Sequence, residues 1–197
     1  MKRMFWIIPS LVLLATGFFF VTNSRAATET AAYKLVRQEG AFELREYDTL
    51  HLAKVSMPAS DKRSKKMDGG FMKLFRFIDG QNEKSEKISM TTPVIIERGE
   101  KESSMSFVMP QKSVAKGLPL PKGEVKLDRI PAVKVVALRF SGVSNSVKEA
   151  EKLAVLQAWV LKQGVEVEGS PLFAFYDPPW TPGFMRRNEV LLRVKAK

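Results

Sequence analysis

Two stretches of this chain, about 33–110 and 125–194, run through the same order of local patterns. Each reads as two strands, a helix and two further strands, and a proline- and lysine-containing connector with Pro119 and Pro121 joins them. In the first stretch Phe42-Glu43-Leu44-Arg45-Glu46-Tyr47 alternates apolar and charged residues, the period of a half-buried strand. Leu50 to Met57 reads as a second strand that ends at Pro58. Met67, Phe71, Leu74, Phe75 and Ile78 then share one face of a helix over 61–78; Gly69-Gly70 weaken its first half, so the regular helix is expected to start near Gly70, with 61–68 as a mobile basic loop, and to stop near Gly80. Strands at 88–97 and 104–109 complete the unit. In the second stretch strands at 125–130 and 132–140 precede a helix opened by a Ser146/Glu149 capping box and ended by Gly164. Strands at 173–176 and 189–195 follow. A duplicated α+β unit is the economical reading, with the two sheets joined into a distorted barrel or saddle and one helix packed on each half.

At 197 residues and 45% hydrophobic, with 27% charged, the chain is long enough for one sizeable core. It has no cysteine, which excludes disulfides, thiolate nucleophiles and Cys-ligated metals. Lys2 and Arg3 precede a charge-free run from Met4 to Val21, and Ser24 and Ala26 stand at −3 and −1 of a cut after Ala26. Residues 1–26 therefore read as a secretory signal peptide or an N-terminal membrane anchor. Residues 27–32 read as a linker and 33–197 as the folded domain. Either alternative puts the domain outside the cytoplasm, exported to the periplasm or held at the membrane. Three of the formal +11 charges lie in residues 1–26, and +8 remains on the rest. For such a domain nucleic acid is not an expected partner; anionic lipid headgroups, acidic polymers or anionic small molecules are.

The chain resembles the SOUL haem-binding protein family. The resemblance is carried by Phe42-Glu43-Leu44-Arg45-Glu46-Tyr47, by Gly70-Phe71 with Phe77-Ile78-Asp79-Gly80-Gln81-Asn82, and by Lys87-Ile88-Ser89-Met90-Thr91-Thr92-Pro93-Val94. Met105-Ser106-Phe107-Val108-Met109-Pro110, Tyr176-Asp177-Pro178-Pro179-Trp180 and Arg186-Arg187-Asn188-Glu189-Val190 extend it across nearly the whole domain. It implies a distorted β-barrel built from a duplicated β-α-β unit with two flanking helices. It also implies binding of haem or another tetrapyrrole, a cofactor not essential to the fold, along the first helix and its adjoining loop. The matching residues here are Met67, Phe71, Leu74 and Phe75, with Lys62, Arg63, Lys65 and Lys66 upstream to meet two propionates.

His51, the one histidine, is the first candidate for an axial iron ligand, with Met67, Met90 and Tyr47 as alternatives. Each of these residues has a plainer use: the helix stripe as core facing the sheet, the lysines as a solvated loop, His51 as a structural side chain. No Gly-x-Ser-x-Gly elbow, P-loop, dinucleotide fingerprint or metal-spaced His cluster is present. A binding protein is expected rather than an enzyme. Two rivals stand beside it: a hydrolase-like enzyme acting on a small hydrophobic substrate, and an envelope protein whose basic face meets anionic lipid or polymer. The loop from Asp177 to Arg187 carries three prolines, Trp180 and Phe184. It is expected to close one end of the barrel with Trp180 packed inward; the alternatives are a cleft rim or a membrane-touching edge.

Overall fold

The structure, a computed structural model, describes residues 28–58, 63–100 and 102–196; of residues 58 and 63–68 it describes the backbone alone. Nine strands form one antiparallel sheet: β2 (Lys34–Glu39), β3 (Phe42–Tyr47), β4 (Leu50–Pro58), β6 (Val94–Arg98), β7 (Glu102–Val108), β8 (Lys126–Ile130), β9 (Val133–Phe140), β10 (Val167–Phe175) and β11 (Asn188–Val194). A separate pair, β1 (Glu29–Thr30) and β5 (Thr91–Thr92), is parallel. The helices are α1 (Arg63–Ile78), the short α2 (Gln111–Lys116) and α3 (Ser146–Lys162).

The large sheet runs β2-β3-β9-β11-β10-β6-β7-β4-β8. Leaving out β2, that order is unchanged when β3 is exchanged for β8, β4 for β9, β6 for β10 and β7 for β11. The register obeys the same exchange: Ala53 faces Phe107 in one half and Val136 faces Leu192 in the other. Ile96 and Phe173 are partners at the centre, where the pseudo-two-fold axis passes. The duplicated order is therefore a real internal symmetry, with one addition. The first strand of each half pairs into the other half, β3 beside β9 and β8 beside β4.

Both helices lie on one face. Leu74, Phe77 and Ile78 of α1 pack with Ala53, Val55, Ile96, Met105 and Phe107. Leu156 and Val160 of α3 pack with Val136, Leu138, Phe173, Val190 and Leu192. Strand alternation sends the next residues to the opposite face, where Tyr47, Val135, Leu172, Ala174, Tyr176 and Leu191 form a third cluster.

Several local expectations are corrected. The end strands β2 and β8 do not pair with each other among the described residues, so the sheet is open and not a closed barrel. Residues 29–30, read as linker, form β1. Residues 88–90 are not strand; Thr91–Thr92 and Val94–Arg98 are, on either side of the cis Thr92–Pro93 bond. The connector contains α2. Helix α1 passes through Gly69-Gly70 because glycine lets it approach β4: a Cβ on Gly70 would stand 3.0 Å from the Met57 sulfur. The cap of α3 is one residue earlier than expected, since the Asn145 side chain accepts from the Lys148 amide. Glu149 instead accepts from the Ser144 hydroxyl and pairs with Arg98 at 3.3 Å.

Candidate functional site

The expected haem residues fall on α1 and β4, and the structure separates them. Leu74 is fully buried against the sheet, so it is core and offers no surface to a ligand. Phe71 is half-buried; its ring lies 6.2 Å from Phe75 at an interplanar angle of 13°, and meets Phe107 edge-on at 5.3 Å. Phe75 and its neighbour Met72 are 40% and 42% exposed. Two large apolar side chains therefore look outward from a helix whose next face is core, which is the arrangement of a flat apolar landing surface. Arg76 is exposed beside Phe75, and Lys73 pairs with Glu124 at 2.7 Å. Lys62 and the side chains of Arg63, Lys65, Lys66 and Met67 lie outside the described residues. His51 is half-buried on β4, opposite Arg129. Strand alternation puts it on the face that α1 covers, two residues from Ala53, whose cross-strand partner is the Phe107 that Phe71 touches.

The opposite face holds a second feature that the sequence reading missed. The turns β3–β4 and β8–β9 cross between the halves, and Tyr47, Leu50, Ile130 and Val133 at those corners meet Ile95, Leu172, Ala174 and Leu191 from the centre of the sheet. They line a narrow apolar cleft, open to solvent on one side, with a volume of about 30 Å³.

Behind two of its lining residues, Tyr47 and Tyr176, lies a buried charge network. Arg45 and Glu189 are both fully buried and paired twice, Nη1 to Oε2 at 2.6 Å and Nη2 to Oε1 at 3.0 Å. Arg187 donates to the same carboxylate at 2.7 and 2.9 Å, and the Tyr176 hydroxyl donates at 2.9 Å. Arg45 also donates to Glu43 at 2.7 Å and to the Tyr47 hydroxyl at 3.3 Å. The guanidinium of Arg45 lies 4.2 Å over the Tyr33 ring, and that of Arg187 lies 3.9 Å over Tyr176.

Burial pushes the Glu189 carboxyl up, but the hydrogen bonds and charge of Arg45, then of Arg187, outweigh it and hold the group below the ordinary carboxylate range. Burial pushes the Tyr176 and Tyr47 phenols up, so both remain protonated. The network is thus charge-balanced within itself. The clue was in the sequence: Glu43, Arg45 and Tyr47 share one strand face, and Arg187 and Glu189 share another. Among the described residues no group of three or more His, Asp or Glu side chains is placed to hold a metal ion.

This is an α+β fold with internal two-fold symmetry, an apolar cleft on one sheet face and the two long helices on the other. The chain belongs to the SOUL heme-binding protein family, whose pattern it matches over residues 28–193. It is 30% identical over 183 residues to human Heme-binding protein 2, covering 86% of this chain and 87% of that one. The mouse protein of the same name is 29% identical over 167 residues, 80% of each chain. Among solved structures, the EcmrR C-terminal domain superposes with a TM-score of 0.61 at 14% identity, covering 84% of this chain and 99% of that one. A structure described as a hydrolase from Listeria innocua superposes at 0.57 with 10% identity, covering 81% and 94%. At such identities these two establish a shared fold.

Proposed function

We propose that this protein binds haem or a related anionic tetrapyrrole on the outer face of α1, outside the cytoplasm. The observation that carries the reading is the nearly parallel Phe71–Phe75 pair with Met72, exposed on a helix of a SOUL-family chain. A planar macrocycle gains from a flat apolar surface, and its carboxylates gain from nearby cations. Arg76 and the basic segment from Lys62 to Lys66 supply those cations. His51, on the sheet face that α1 covers, is the candidate iron ligand. The role is binding rather than catalysis, and it agrees with the names of the relatives. The charge pattern of residues 1–26 supports export or anchoring.

The cleft favours a second reading, because its lining is almost wholly apolar. The arginine that lines it, Arg193, is already paired with Glu97 at 3.0 Å. It would therefore suit an uncharged apolar molecule better than a dicarboxylate.

A hemin titration followed by absorption separates these. We expect a saturable one-to-one Soret change that the Phe71→Ala/Phe75→Ala variant weakens by about tenfold, the loss of part of two aromatic contacts, while the cleft-filling Ile95→Trp leaves it unchanged. An unchanged affinity in the double variant would overturn the α1 site. Loss in Ile95→Trp alone would move the ligand to the cleft.

A further inference from the structure

The loop from Asp177 to Arg187 is expected from the sequence to pack Trp180 inward; it does the opposite. Trp180 and Phe184 are 75% and 74% exposed. The loop is nevertheless well built. Thr181 is buried, its amide bonds to the Pro178 carbonyl, and Gly183–Met185 forms a 3₁₀ turn. Arg186 donates from Nε to the Thr181 carbonyl at 2.8 Å and also bonds to the Pro179 carbonyl. Three prolines and this arginine staple hold the backbone, so the rings are displayed by a stiff support. Gly183 sits against Val143, where an added Cβ would stand 3.2 Å from a Val143 methyl, and the Gly142 amide bonds to the Gly183 carbonyl. Val143 is 59% exposed, and Val147, in the first turn of α3, is 77% exposed. Four large apolar side chains thus crowd one end of the molecule without covering any of its core.

Basic groups adjoin them. Arg139 and Arg186 line a surface depression together with Phe184 and Glu43, and Lys148 follows Val147. The carboxylates at this end are engaged: Glu43 with Arg45, Glu149 with Arg98, and Asp177 with the Arg187 amide. The N-terminal chain enters the fold close by. Ala31 bonds to Thr92, two residues before Val94, whose cross-strand partner Phe175 leads directly into the loop. Behind Thr28 the sequence holds the charge-free run Met4–Val21.

We infer that this end of the molecule, with Trp180 and Phe184 at its tip, docks peripherally on a bilayer bearing anionic headgroups. Trp and Phe settle in the interfacial region while a basic rim answers the phosphates. Among the described residues no helix is long and apolar enough to cross a membrane, so this contact lies in the headgroup plane. The site is on α3 and the β10–β11 loop, apart from α1, and it stands or falls independently of haem.

The test uses residues 28–197. All three packed clusters and the family match lie within them, so the apolar run is removed without touching the core. Sedimentation is measured with phosphatidylcholine vesicles and with mixed phosphatidylcholine/phosphatidylglycerol vesicles, for the parent and for Trp180→Ser/Phe184→Ser. We expect binding to the anionic vesicles, a blue shift of tryptophan emission, weaker binding in high salt, and about tenfold loss in the double variant. Equal binding by parent and double variant, or none to either vesicle, would overturn the inference. So would a parent dimer in analytical ultracentrifugation that the double variant abolishes, since the patch would then be an interface between two copies.

Discussion

Replacing Glu189 by glutamine tests the buried network with almost no change of shape. The wild-type carboxylate receives two bonds from Arg45, two from Arg187 and one from Tyr176. The amide keeps one acceptor oxygen and turns an NH2 group toward donors. Arg45, fully buried, is left with Glu43 as its one ion-pair partner. Breaking a buried pair from one side costs about 3–5 kcal/mol, a large share of a total stability of about 5–15 kcal/mol. With a urea m-value of about 2 kcal/mol/M, the unfolding midpoint falls by about 2 M. Adding Arg45→Met to Glu189→Gln then costs much less than the two single changes summed, because the stranded guanidinium is gone. The acid limb gives an independent reading. The folded-state pKa of Glu189 lies below its unfolded value of about 4.3. Its stabilisation is therefore complete above that value and is lost as the pH falls through the lower folded value. Glu189→Gln removes this part of the acid transition. A midpoint shift under about 0.5 M, or additive single changes, would refute the account of the network as a coupled buried pair.

The internal symmetry predicts equal partners: Leu74→Ala and Leu156→Ala, each fully buried under its own helix, each lower stability by about 2–5 kcal/mol in urea unfolding. Phe75→Ala, at an exposed position, changes stability by less than about 1 kcal/mol while lowering hemin affinity. Asn82 is buried in the turn after α1; its side chain donates to the Phe77 and Glu86 carbonyls and accepts from the Glu86 amide. Asn82→Ala lowers the unfolding free energy by about 2–3 kcal/mol, since each lost bond contributes about 1 kcal/mol.

Local chemistry is legible in the order of the amino acids. The alternation of Phe42–Tyr47, the apolar stripe of α1 and the repeated element order correctly place most strands, both long helices and the duplication. These depend on side-chain periodicity and on turn residues, which act over a few positions. The misplaced boundaries, at residues 88–90, at the cap of α3 and at β1, are also local, but there a tertiary partner outweighs propensity. Gly70 shows the same override: it weakens an isolated helix and here permits close packing on Met57. Of the candidate site, the sequence points to Phe71 and Phe75 as apolar members of a helix face. It does not tell that Leu74, on the same stripe, is sealed while Phe75 is open, because the stripe is broad enough to hold both, about 100° apart on the helix, and the sheet decides which is covered.

By itself the sequence determined which residues share a face, where chain direction reverses, and that the fold is built twice. Tertiary structure alone decided which faces are covered. Glu43 and Arg45 lie on what reads as a polar strand face. That face is buried because Glu189, 144 positions beyond Arg45, arrives on β11 to neutralise it. Trp180 reads as a core residue, yet among the described residues its ring is exposed. Strand exchange between the halves, which creates the cleft corners at Tyr47–Leu50 and Ile130–Val133, is likewise a choice of partner. Periodicity constrains the face of a strand, whereas pairing and burial depend on contacts between segments far apart in the chain.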